Sequence, residues 1–257
     1  PDICGLFPEL RRFCYNVGVS MAQTYGGFPA FDSALIHTEV RDSANPCFHE
    51  HDRAAFRQFA GFDVPEQVSG KSGVRYDSLE GFPESRVLPD DYPLYVYYCW
   101  YWKHGDGWNE LNTAVHEGLK TSGRSDLWTF HDPAVRVASV YGSGGAVDVL
   151  SQWTYSYPDP IRIATATDEL LAMVAGADNP QQAMKMTQII WYRSQTAPAS
   201  QESLDKVKAQ SVWEDTDPDA AFITIAPMHL REAFWTKIAR PIKGIMYHGW
   251  QSLVDTG

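Results

Sequence analysis

Five short apolar runs, each ending in polar or aromatic residues, constrain this chain more than any other feature. They are Ser33–Val40 (SALIHTEV), Leu127–His131 (LWTFH), Val147–Tyr155 (VDVLSQWTY), Met186–Tyr192 (MTQIIWY) and Ile242–His248 (IKGIMYH). A strand with one wet face alternates apolar and polar residues. A run that is apolar almost throughout needs cover on both faces. The intervening segments read as helices. Across 8–25, Leu10, Phe13, Cys14, Val17 and Met21 recur at helical spacing, Pro8 suits a first turn, and Gly26, Gly27 and Pro29 stop the helix. His51–Ala60, Ile161–Ala175 and Pro227–Ala239 follow the same logic. Strands alternating with helices predict an α/β chain with a parallel sheet.

Two regions break the alternation. Phe62–Asp91 is dotted with Gly and Pro and reads as loop, as does the Ala, Pro, Ser and Asp-rich stretch at 196–221. Tyr92–Lys120 opens on YPLYVYYCWYW, which has strand composition, and continues into a helical pattern; a helix broken near Gly105 and Gly107 fits both halves. The whole of 1–257 reads as one barrel portion with a long loop insertion at about 43–93.

Charge and motif content exclude several function classes. Asp and Glu number 32 against 21 Lys and Arg, for a net charge of −11. A nucleic-acid binder needs a basic face to neutralise phosphates, and an anionic membrane surface needs the same. No apolar stretch has the ~18 residues of a membrane span. No GxGxxG, GxxxxGK[ST] or GxSxG is present, and GSGG at 142–145 precedes a strand rather than opening a helix, so no cofactor is expected. The four cysteines, Cys4, Cys14, Cys47 and Cys99, form no CxxC; buried free thiols are the favoured reading, with one or two disulfides as the alternative. His49-Glu50-His51 has metal-site composition, but neighbouring residues do not share a helix face, so no metal is expected there.

The polar groups at the strand ends carry the functional argument. His37 and Glu39 end the first run, and His131 with Asp132 ends the second. Gln152, Trp153 and Tyr155 end the third, Trp191, Tyr192 and Arg193 the fourth, and Tyr247, His248 and Trp250 the fifth. A parallel barrel builds its active site at that edge. Carboxylates, imidazoles and aromatic platforms together suit a sugar: rings stack on pyranose faces, and carboxylates perform acid/base work on the glycosidic bond. Each residue also has a plainer role open to it. Glu39 fits a salt bridge to Arg41, Asp132 before Pro133 fits a turn, and Asp106 and Glu110 fit helix caps. Asp148 lies at the opposite strand end and reads as structural.

Two segments resemble (β/α)8-barrel glycoside hydrolases of the beta-galactosidase type. ALIHTEVRDSANPCFHEHDRAAFRQFAG is similar to their fourth-strand region, where a Glu is followed by an AFR-containing helix. AFITIAPMHLREAFWTKIARPIKGIMYHGW is similar to their last helix and eighth strand, and DVLSQWTYSYPDP to a sixth-strand segment of bacterial relatives. The resemblance covers about half of the chain. It implies that Glu39 is the general acid/base and Trp250 a sugar platform. It also implies a nucleophilic Glu ending the seventh strand, but TQIIWYRSQ has no carboxylate there. The chemistry then uses another partner, such as Asp132, or is altered, or is absent.

The expectation is therefore the C-terminal part, about strands 4 to 8, of a (β/α)8 TIM barrel acting as a glycosidase on an oligo- or polysaccharide. His37, His131, Trp153, Tyr155, Trp191, Arg193, His248 and Trp250 are its expected substrate contacts. Five strands cannot close, so strands 1 to 3 are expected from an N-terminal part of the same protein or from another chain. A polysaccharide substrate favours a secreted or periplasmic location. A non-catalytic carbohydrate-binding barrel and an assembly subunit are the alternatives.

Overall fold

The computed structural model describes residues 4–40, 46–68, 83–85, 87–105, 109–133, 137–154, 159–192, 222–225 and 227–249. The elements are α1 (Pro8–Tyr25), β1 (Ser33–Val40), α2 (Glu50–Ala60), α3 (Pro93–Lys103), α4 (Asn109–Lys120), β2 (Trp128–Pro133) and β3 (Val149–Trp153). After these come α5 (Pro160–Ala175), β4 (Gln182–Gln188), β5 (Ile190–Tyr192), β6 (Phe222–Thr224), α6 (Pro227–Ile238) and β7 (Gly244–His248). Five strands form one sheet in the order β1-β2-β3-β4-β7, and the β1–β2, β2–β3 and β4–β7 pairs are parallel. The expected α/β class with a parallel sheet is therefore present. No helix among the described residues is long and apolar enough to cross a membrane.

The chain divides into two compact units. The first comprises Pro1–Ser151 with Glu169–Gln182. Here α1 and α4 cross through glycines. A Cβ on Gly18 would lie 2.3 Å from the Val115 carbonyl oxygen, and one on Gly118 would lie 2.2 Å from that of Tyr15. Only bare backbone permits so close an approach. Ala34, Leu119 and Leu127 form the adjoining core, with Met21, Phe31, Ile36 and Val115 packed on it. The aromatic segment at 93–103 is a helix, as the broken-helix reading predicts. It is buried nearly all round, by Leu94, Tyr97, Tyr98, Trp100, Tyr101 and Trp102, which explains why its composition imitates a buried strand. It stops at His104, where the Gly105 N–H bonds back to the Trp100 carbonyl at 2.8 Å.

The glycines at 142–145 are not an anion cradle. The Gly144 N–H is taken by Asn109 Oδ1 at 2.6 Å, and Gly145, at φ 65°, lies where any Cβ would strike Thr113. They press the entry of β3 against α4. Asp148, beside them, accepts from the Thr129 N–H at 2.8 Å and from Lys120 Nζ at 3.0 Å. Burial would raise its carboxyl, but the Thr129 amide and Lys120 outweigh that and hold it below the usual range. It is a structural anchor, as its position at the strand start predicts.

The second unit comprises Gln152–Asp168 with Ala183–Gly257. Ile163, Ile225 and Ala233 form its core with Leu230 against them. Arg240 grips Asp168 in a two-pronged pair, Nε to Oδ1 at 2.6 Å and Nη2 to Oδ2 at 3.0 Å. Two elements differ from expectation. The predicted strand 186–192 begins earlier, at Gln182, and leaves the sheet at Ile189. The Ile189 N–H still bonds the His248 carbonyl, but its own carbonyl accepts from Ile225. Ile190–Tyr192 then pairs antiparallel with Phe222–Thr224, a strand the sequence reading left unassigned just past its 196–221 loop. Hydrophobic periodicity is blind to this switch, because all of 186–192 remains apolar enough for one strand.

Candidate active site

The carboxyl ends of β1 and β2 gather four of the residues singled out in the sequence. β1 spends eight residues against the six of β2. The register runs Leu35↔Phe130, His37↔His131, Thr38↔Asp132, Val40↔Pro133. Ile36 and Glu39 are therefore extra residues, each a bulge. Bulges are rare in parallel pairs, and where they occur near active sites they re-aim a side chain or end the pairing. Asp132 and Pro133 continue β2 and pair with β1, so the turn reading of Asp132-Pro133 is replaced by a strand end.

His131 is buried at 4% exposure. Its Nδ1 lies 3.1 Å from the His37 carbonyl oxygen. A carbonyl only accepts, so Nδ1 carries the proton of a neutral ring. Burial pushes the His131 imidazole down to about 4, against the upward pull of that hydrogen bond. His37 is half-buried with its ring centroid 6.2 Å from that of His131, and burial lowers it as well. Asp132 is 1% exposed. His37 and His131 share one rung of the sheet, while Asp132 shares the next with Thr38; side chains alternate along a strand, so the two imidazoles lie on one face and Asp132 on the other. The imidazoles stay neutral at neutral pH. The structure fixes the Glu39 backbone at the second bulge.

In the second unit, Trp153 ends β3 half-buried. Gln188 and His248 share the last rung of β4 and β7, Gln188 buried and His248 exposed. Trp191 is not at the end of a parallel strand; it belongs to β5, opposite Ile223 in the two-stranded ribbon. Tyr155, Arg193 and Trp250 lie outside the described residues, as does Asp106. Glu110 makes an exposed ion pair with Arg11 at 3.3 Å.

Sequence reasoning missed two groups of polar residues. Lys185 and Lys237 are both fully buried. Lys185 Nζ donates to Thr154 Oγ1 at 2.9 Å, and Lys237 Nζ to Thr187 Oγ1 at 2.6 Å. Burial pushes Lys237 down to about 8. Their signal was a lysine inside an apolar run (AMKMT, WTKIA), which ordinarily marks a strand edge or a snorkelling side chain. The second missed group is Cys4, His49, His51 and Asp52, whose donor atoms lie within 4.8 Å of one another. Adjacency counted against His49-Glu50-His51, but His49 is the residue before α2, with extended backbone at φ −63° and ψ 157°, so helix-face spacing does not apply to it. All four cysteines are free thiols; of them only Cys4 is buried. No protein-family model, curated protein or solved structure matches the chain.

Proposed function

We propose that this chain is the acid/base portion of a glycoside hydrolase acting on an oligo- or polysaccharide, with Glu39 as general acid/base and Asp132 as its partner carboxylate. The observation that carries the reading is the bulge at Glu39. It adds a carboxylate residue to β1 at the level where β2 presents buried Asp132. Adjacent strands run about 4.8 Å apart, and one residue along the strand adds roughly 3.3 Å. The backbones of the two carboxyl-bearing residues are therefore neighbours, and cleavage of a glycosidic bond needs their carboxyl groups ~5–10 Å apart. His37 and His131 supply neutral imidazoles at the same strand ends. The strand β1 and β7 edges of the sheet are, on this reading, closed into a (β/α)8 barrel by strands from an N-terminal part of the same protein or from another chain.

The test is a polysaccharide panel with reducing-end detection, using the intact protein and Glu39→Gln. Loss of a general acid lowers turnover by ~10²–10⁴-fold. If Glu39→Gln kept more than half of wild-type turnover, Glu39 would not be the acid. Glycan retention without new reducing ends would replace the enzyme by a carbohydrate-binding barrel.

A further inference from the structure

The geometry points to a divalent transition-metal site, of the kind that takes zinc, formed by Cys4, His49, His51 and Asp52. Cys4 Sγ lies 3.0 Å from His51 Nε2 and 3.1 Å from Asp52 Oδ1, and His51 Nε2 lies 3.2 Å from the same oxygen. His49 Nδ1 lies 3.8 Å from Asp52 Oδ2. Zinc bonds of ~2.0–2.3 Å in a tetrahedron require ligand–ligand edges of about 3.3–3.8 Å. Three of the donor pairs stand just inside that spacing and all four donors lie within 4.8 Å of one another, so small side-chain rotations bring them onto it. A thiolate, two imidazoles and one carboxylate form a set that suits zinc rather than calcium or magnesium, which prefer all-oxygen shells.

The local backbone is shaped to the same end. Among the described residues, Phe48 is the non-glycine residue with a positive φ, at 57°. A bulky side chain holds that conformation only where its surroundings over-determine it. The reversal at Phe48 separates Cys47 from His49 and turns both toward Asp52. Cys47 Sγ donates to Asp52 Oδ2, and the His49 N–H donates to the same oxygen at 3.1 Å. Oδ1 thereby faces Cys4 and His51. Phe7 packs against both imidazoles, with centroids 4.5 Å from His51 and 5.8 Å from His49. The two histidine rings stack at 14°. Cys4 and Asp52 are buried, while the histidine side chains are 43% and 36% exposed. An ion thus enters from the histidine side and is held from below by thiolate and carboxylate.

Binding replaces the Cys4 S–H by an S–metal bond, and the proton leaves to solvent; the imidazoles bind neutral and the carboxylate ionised. The site joins the segment ahead of α1 to the start of α2, across 47 residues of sequence between Cys4 and His51. Its role is to clamp these two segments within the first unit, independent of any glycosidase chemistry.

The test uses purified protein stripped with a chelator, then titrated with zinc by calorimetry and with cobalt(II) by absorption. One equivalent is expected, with a thiolate-to-cobalt charge-transfer band that Cys4→Ser abolishes. Zinc at about 100 times its dissociation constant should raise Tm by roughly 5–10 °C in a chain of this size. His51→Ala alters a half-buried ring that caps no helix, so it tests the site even if Cys4→Ser fails to fold by circular dichroism. It should weaken zinc binding by at least about tenfold. Absence of zinc binding, a cobalt spectrum without the thiolate band, or His51→Ala binding zinc like wild type would each overturn the assignment.

Discussion

Acid should loosen this fold through His131, and the size of the effect follows from its burial. The ring is enclosed and its Nδ1–H is committed to the His37 carbonyl. Its pKa is about 4 when folded against 6.5 for the free side chain. Above pH 6.5 neither state protonates the ring, and the neutral imidazole is fully compatible with the fold. Between 6.5 and 4 the unfolded chain takes up a proton that the folded chain refuses, so stability falls as pH falls through that window. One unit of pKa difference is worth about 1.4 kcal/mol, so the full window is worth about 3 kcal/mol, and about 2 kcal/mol of it is lost by pH 5. The assay is urea unfolding at pH 7.5 and pH 5.0 for wild type and His131→Gln. Glutamine keeps an N–H donor for the His37 carbonyl but does not titrate. His116, also lowered by burial and in contact with Thr129 and Asp148, cancels in the comparison, and the electrostatic coupling of His37 to His131 is counted within the His131 difference. Wild type should lose about 2 kcal/mol more than the variant on acidification. Equal losses, within about 0.5 kcal/mol, would refute the claim that the strand-end imidazole is held neutral by burial.

Lys237→Met should stabilise the protein at pH 7, because the folded chain there confines a charge that burial disfavours and no carboxylate among the described residues pairs with it. The folded lysine releases its proton near 8 and the unfolded one near 10.5, so wild-type stability rises across that interval and the advantage of the variant, measured by urea unfolding, should shrink by pH 10. Gly18→Ala should destabilise by about 1–3 kcal/mol despite the better helix propensity of alanine, since its Cβ meets the Val115 carbonyl; Gly27→Ala, which meets nothing within 4 Å, is the thermal-melt control and should change stability by less than about 0.5 kcal/mol.

The α/β class and most element positions were legible in the sequence because they follow from local periodicity. Continuous apolar runs such as SALIHTEV and helical spacing such as Leu10, Phe13, Val17 and Met21 depend on neighbours a few residues away, and those neighbours are visible in order. The continuation of β2 through Asp132 and Pro133, the split of 186–192 at Ile189, and the placement of Trp191 in a ribbon were not visible in that way. A strand ends where its partner ends, and the partners of Ile189, His248 and Ile225, lie tens of residues further along.

The candidate sites divide along the same line. Sequence by itself named His37, Glu39, His131 and Asp132, because histidines and carboxylates closing apolar strands stand out against their surroundings. Only the tertiary structure decided that β1 carries two more residues than β2 and that Glu39 is one of them, since register is a property of the pair and not of either strand. Only the fold also brought Cys4 to His51 and Asp52. The donors are scattered by sequence distance, two of them, Cys4 and His49, stand on non-helical backbone, and their convergence depends on the segment ahead of α1 meeting the start of α2, which no spacing rule encodes.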